Sequence, residues 1–227
     1  ACFRFYSPEL ERYVIVVYDG GFLAHGKAIV QLIKKYYTDK EVPYIDIVIC
    51  SHSDDDHALG LSEIFDACSV GHLIMNRPWL YASELYEKIS DRRKTVESLE
   101  RELKETYSSI AELETKALDQ KTKIHEGFQG KIFSNVPLWI LSPTQDFYLQ
   151  QIVNSPKTPL NEKISSSFMK ETKDRWDKDT IREGEVTTPE NETSIVLYGD
   201  MAEHGAFLLT GDAGIQALTA AADYADS

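Results

Sequence analysis

Two runs of apolar, largely β-branched residues, 13–18 (YVIVVY) and 45–50 (IDIVIC), bracket a stretch with helical periodicity. Each run is the length of a buried strand, because β-branched and aromatic side chains fit a pleated surface. Between them Ala28, Ile29, Leu32, Ile33 and Tyr36 recur at helical spacing, and Lys34 and Lys35 stand where cations oppose the helix dipole. Asp19-Gly20-Gly21 turns the chain out of the first run, and Pro43 breaks it before the second. Strand, helix, strand in this order predicts an α/β fold.

The second half continues the sheet pattern. Residues 137–141 (PLWIL) read as a short strand, and 193–198 (TSIVLY) with 206–210 (AFLLT) read as a hairpin joined by a turn over 199–205. Residues 154–190 are polar and contain Pro156, Pro159 and Pro189, which predicts a long surface loop with one helix around 168–176.

The segment 81–126 contains neither Gly nor Pro. Continuous helix over that length extends about 69 Å, too long for a compact domain. Ile89, Val96, Leu103, Ile110, Ala117 and Ile124 repeat every seventh position, alongside Arg92, Leu99, Thr106, Leu113 and Gln120. Such a seam predicts a coiled-coil insertion at 81–127 that self-associates or meets a partner helix, dividing the domain into 1–80 and 128–227.

Lys plus Arg number 24 against 37 Asp plus Glu, a net charge of −13. A field of that sign opposes passive coating of nucleic acid unless a metal or a local basic patch reverses it. Cys2, Cys50 and Cys68 are three in number and lack metal-ligand spacing, which points to a reducing compartment and a cytoplasmic location. No apolar run approaches the roughly 18 residues of a membrane span.

The chemistry is concentrated directly after the second strand, in Ser51-His52-Ser53-Asp54-Asp55-Asp56-His57. Side chains at alternate positions of a turning segment converge, so His52 and Asp54 can share one ion while Asp56 and His57 reach another. Imidazole with carboxylate suits zinc, manganese or non-haem iron. A divalent cation would also relieve the repulsion among the carboxylates. His25, His72, His125 and His204 have no motif around them and read as surface or satisfied histidines.

This cluster resembles the signature H-x-H-x-D-H of the metallo-β-lactamase fold, in particular the hydrolase domain of ComEC-type DNA-uptake proteins, where Asp often holds the second position as Asp54 does. The turn at Asp19 looks like that family's early aspartate. Residues 191–197 (NETSIVL) and 207–212 (FLLTGD) resemble its paired strands. The likeness covers roughly 13–75 and 132–218. It implies a four-layer αββα sandwich binding two divalent ions, Zn²⁺ or Mn²⁺. By that likeness His52 and Asp54 hold the first, Asp56 and His57 the second, and Asp212 bridges them. Asn191 stands where many relatives have another His ligand, Asp19 fixes the loop that carries the ligands, and Asp56 orients the attacking water.

Two departures are visible. The late His-His-Gly-Ser-like segment of relatives has no counterpart after Asp212, and little precedes Tyr13, where relatives have a further strand or two. The expectation is a trimmed, gapped or split chain with a weakly held second ion. The function implied is a phosphodiesterase or nuclease, in DNA uptake or anti-phage defence. The alternatives are hydrolysis of a small phosphorylated or cyclic-nucleotide molecule, and a degenerate scaffold module assembling through its coil.

Overall fold

The computed structural model describes residues 1–88, 94–133, 135–158, 160 and 187–227. Ile89 and Arg92 of the heptad series lie outside the described residues, as does the expected helix around 168–176.

The protein is α/β, with a mixed sheet of mainly parallel strands flanked by helices. β1 (Cys2–Ser7) pairs antiparallel with β2 (Arg12–Tyr18), and β3 (Tyr44–Ile49), β4 (Ser69–Ile74) and β5 (Lys123–His125) then add in parallel. α1 (Leu23–Tyr36) connects β2 to β3, and α2 (Asp55–Ala67) connects β3 to β4. A second, antiparallel sheet has the order β6 (Gly130–Lys131), β7 (Leu138–Ser142), β8 (Val196–Asp200), β9 (Ala206–Leu209).

Alternate side chains of a strand point to opposite faces, and in β2 and β3 both faces are covered. Val14, Val16, Tyr18, Ile47 and Ile49 meet Leu138, Ile140, Ile195 and Leu197 between the two sheets. Ile15, Val17, Ile45 and Val48 point the other way, into a core shared with the helices. That double burial is why both runs are apolar almost without interruption. α8 (Ile215–Ala225) packs against β7 and β8. Among the described residues no helix is long and apolar enough to cross a membrane, and all three cysteines are free.

The expected long coil is not present. Its residues form α3 (Ala82–Lys88), α4 (Val96–Thr106) and α5 (Ser108–Asp119), after which β5 joins the first sheet. Tyr107, at φ −106° and ψ 50°, breaks the helix between α4 and α5. The seam exists as a buried stripe, but its partner is this domain. Leu99, Leu103, Ile110, Leu113 and Ala117 lie in the same core as Ile64, Trp79 and Tyr148. A heptad repeat and an amphipathic stripe differ by only ~20° per seven residues, so the pattern fixes a buried face without naming what covers it. Among the described residues the seam positions Leu99, Leu103, Ile110, Leu113 and Ala117 are thus buried within the domain.

Further elements lie where none was expected, among them β1, β4, β6, α6 (Gln145–Asn154) and α8. β8 starts later than the predicted 193, because a short helix, α7 (Pro189–Glu192), and the turn through Thr193 and Ser194 precede it.

Candidate metal centre

The carboxyl ends of β2 and β3 and the start of β8 converge on one point. The Ser51 carbonyl accepts from Ile195 N–H at 3.0 Å, and the Tyr18 hydroxyl donates to the Ile195 carbonyl at 2.7 Å, tying the two sheets together beside the loop that follows β3. Asp19 takes a positive φ of 57°, a conformation Asp adopts more readily than most residues. Its peptide N–H donates to the Ile49 carbonyl at 2.9 Å, and Gly20 N–H donates to the His57 carbonyl at 2.8 Å. The turn therefore lies directly on α2. A Cβ on Gly60 would stand 2.1 Å from the Gly20 oxygen, which is why glycine occupies both positions.

This turn presents the Asp19 carboxylate to three donors. Oδ1 accepts from Ser51 N–H at 2.7 Å, while Oδ2 accepts from the Ser51 hydroxyl at 2.8 Å and lies 2.8 Å from His57 Nδ1. The contacts assign both imidazole tautomers. A carboxylate only accepts, so the single hydroxyl hydrogen of Ser51 is spent on Asp19. The 2.9 Å contact between Ser51 Oγ and His52 Nδ1 must then be donated by the imidazole. His52 Nε2 is left as a bare lone pair, and it is buried without a hydrogen-bond partner among the described residues.

His57 likewise donates from Nδ1 to Asp19, and its Nε2 lies 3.3 Å from Asp212 Oδ1. The two rings are 4.2 Å apart between centroids. His52, His57 and Asp212 each offer a ligand atom, all within 4.8 Å of one another, a set able to hold a metal ion. Two imidazoles, one of them with an orphaned buried nitrogen, and a carboxylate are the donor chemistry a zinc-like ion requires. Ser194 supports the same point, with its hydroxyl 3.3 Å from His52 Nδ1 and accepting from Asp212 N–H at 3.3 Å.

Electrostatics follow from this arrangement. Burial lowers the pKa of His52, and neighbouring His57 lowers it further. Burial acts on His57 in the same direction, but hydrogen bonds to Asp19 and Asp212 outweigh it and push the pKa up to about 10. Asp212 is held below the usual carboxylate range chiefly by its hydrogen bond to His57. In the metal-free protein an imidazolium proton thus neutralises the cluster.

Other expected site residues fall differently. Asp56, in the first turn of α2, lies 3.9 Å from His57 Nε2, outside the three-residue group. Asp54, at the start of α2, makes no cap hydrogen bond and pairs instead with Lys157 Nζ at 2.7 Å. Asn191 is turned to Thr187, donating from Nδ2 to its hydroxyl at 2.9 Å. Asp55 accepts from the Ser109 hydroxyl on α5.

A cavity of about 520 Å³ is lined by Asp19, His25, Asp56, His57 and Thr210, and a second of about 320 Å³ by Asp54, Asp55, Asp56, Tyr107 and Lys157. Asp56 borders both. Of the isolated histidines, His25 Nδ1 accepts from Phe22 N–H at 3.2 Å, and His72 and His125 share a 3.0 Å ring-nitrogen hydrogen bond across β4 and β5. Ser51, Ser194 and Lys157 were not singled out in the sequence. The adjacency of Ser51 to His52 is the one signal that pointed to any of them. Compared with protein-family models, curated proteins and solved structures, the chain matches none.

Proposed function

We propose that this chain is a metal-dependent hydrolase of the metallo-β-lactamase fold, of the ComEC-like branch, that cleaves phosphodiester bonds. The observation that carries this reading is His52, whose Nε2 is buried without a hydrogen-bond partner among the described residues, in a group where His57 and Asp212 supply two more ligand atoms. A buried polar atom left unsatisfied costs about 1–3 kcal/mol, so its retention calls for a group it meets in the working protein. A divalent cation there, Zn²⁺ or Mn²⁺, would polarise a phosphoryl oxygen and lower the pKa of water.

The chain's own residues supply the rest. Asp19 and Ser51 fix the ring orientations of His57 and His52. Asp56, which borders both cavities, is the residue to which this reading gives the proton of the attacking water. Free cysteines and the absence of a spanning helix among the described residues accord with work in the cytoplasm.

Nucleic acid is the leading substrate, by the family likeness. A small phosphorylated or cyclic-nucleotide molecule is the second reading, favoured by the net charge of −13 and by a cavity of about 520 Å³. Incubation of the Mn²⁺- or Zn²⁺-loaded protein with single- and double-stranded DNA, RNA, cyclic nucleotides and bis(p-nitrophenyl) phosphate tests both. Turnover lost in His52→Ala and Asp212→Ala supports the hydrolase. Survival of every substrate sinks it and leaves a scaffold module of this fold.

A further inference from the structure

We propose that Lys157 stands in for a second metal ion: its ammonium, paired with Asp54, occupies the position of a second cation, so the centre holds one divalent ion rather than two. This rests on the metal-dependent reading above and deepens it.

The family likeness assigns Asp54 to an ion, and the side-chain geometry assigns it elsewhere. Lys157 Nζ lies 2.7 Å from Asp54 Oδ1, a direct ammonium–carboxylate contact across 103 positions of sequence. Asp54 has also forgone the commonest use of an Asp at its position, since it makes no cap hydrogen bond to α2. Three ligand atoms fall within 4.8 Å of one another, from His52, His57 and Asp212, and Asp54 is not among them. Of the ligands expected for two ions, Asn191 is turned to Thr187. What remains is a three-residue set that would hold one ion, the number of protein ligands a catalytic zinc takes.

The replacement has a chemical use. A second divalent ion in a phosphodiesterase holds the carboxylates together and meets the anionic oxygens of the substrate. Lys157 supplies one positive charge and three donors, of which Asp54 takes one. It lines the cavity of about 320 Å³ that Asp56 also lines, which would bring its ammonium within reach of a substrate entering there. Lysine is a point cation that serves phosphate groups in this way, without metal geometry.

Counting bound metal separates the possibilities. The full chain, freed of metal and equilibrated with excess Mn²⁺ or Zn²⁺, is passed through a desalting column, and metal per chain is read by mass spectrometry. The one-ion reading expects about one equivalent in the wild type, and about one in Asp54→Asn with metal Kd changed less than about threefold, since Asp54 is not a ligand. Lys157→Met releases Asp54 beside Asp55 and Asp56 and should admit a second Mn²⁺, giving about two equivalents, while Lys157→Arg stays near one. Circular dichroism of each variant checks the fold.

Two tight equivalents in the wild type, or a tenfold or greater loss of affinity in Asp54→Asn, would overturn this proposal and spare the hydrolase reading. No bound metal in the wild type would remove both. A folded Lys157→Met that still binds one equivalent would show that the ammonium is not what excludes the second ion, and would also overturn it.

Discussion

Asp19 Oδ2 lies 2.8 Å from both His57 Nδ1 and the Ser51 hydroxyl, so one carboxylate oxygen governs both imidazoles of the centre, His57 directly and His52 through Ser51. Removing its charge should therefore be felt at two ligands that it does not share with the ion. Asp19→Asn is expected to weaken Zn²⁺ binding roughly 10–100-fold with little change in secondary structure, measured by competition with a chromophoric chelator. Ser51→Ala should weaken it less, because it frees only the His52 ring. Unchanged affinity in Asp19→Asn would mean that the ligands are oriented by packing alone.

Metal binding should expel a proton. In the metal-free protein the His57 pKa is raised from 6.5 to about 10, so at neutral pH an incoming ion displaces the Nε2 proton that faces Asp212. Affinity should then rise by about tenfold per pH unit through the neutral range, with about one proton released per ion. Calorimetric titrations in buffers of different ionisation enthalpy would read that proton. A flat affinity between about pH 7 and 9 would exclude His57 Nε2 as a ligand.

The same shift has an opposite consequence for the metal-free fold. A folded-state pKa above the unfolded value means that the charged His57 stabilises the fold fully below pH 6.5, and this contribution is lost as pH rises through about 10. Metal-free His57→Gln should show a smaller fall in melting temperature over that interval than the wild type. Equal falls would show that the proton contributes nothing to the fold.

The stripe on α4 and α5 makes a prediction that separates a core from a coil. Leu103 and Leu113 are almost fully buried within the domain. Leu103→Ala and Leu113→Ala should each cost about 2–5 kcal/mol in urea unfolding, the range for emptying a packed leucine site. The loss should not depend on protein concentration, whereas a coiled coil between chains would make it do so. Concentration-dependent midpoints would return the segment to the role its heptads suggest.

What the sequence disclosed follows from how local each signal was. β2 and β3 were legible because covering both faces leaves no polar alternation to confuse. β1 was passed over although Arg4 and Tyr6 are exposed while Phe3 and Phe5 pack inward, the alternation of a half-buried strand, spread here over only six residues. The break at Tyr107 was hidden because tyrosine carries no turn signal. At the site, His52 and His57 stood out by residue type and by their place after a strand, while Asp212 entered only through the family likeness; the structure brings the three together. Asp54 was assigned to an ion by spacing, while its partner Lys157 lies 103 positions away, beyond the reach of any local pattern.

The last prediction joins the fold to the centre through Gly60. Its amide donates to the Gly21 carbonyl at 2.6 Å, and a Cβ there would stand 2.1 Å from the Gly20 oxygen and 2.8 Å from the Gly21 oxygen. All of these contacts are backbone, so no side chain can swing aside to make room. Gly60→Ala must push α2 away from the Asp19 turn, and overpacking of this kind costs about 1–3 kcal/mol. The displacement also separates Asp19 from His57, because the His57 carbonyl is bonded to Gly20 N–H. Stability and metal affinity should therefore fall together in Gly60→Ala. Gly71→Ala is the control, since its Cβ would meet the Tyr44 hydroxyl at 2.3 Å, the end of a half-exposed side chain on a neighbouring strand. It should leave metal affinity unchanged. A Gly60→Ala protein that loses stability yet binds metal as the wild type does would show that the turn and the centre are mechanically independent.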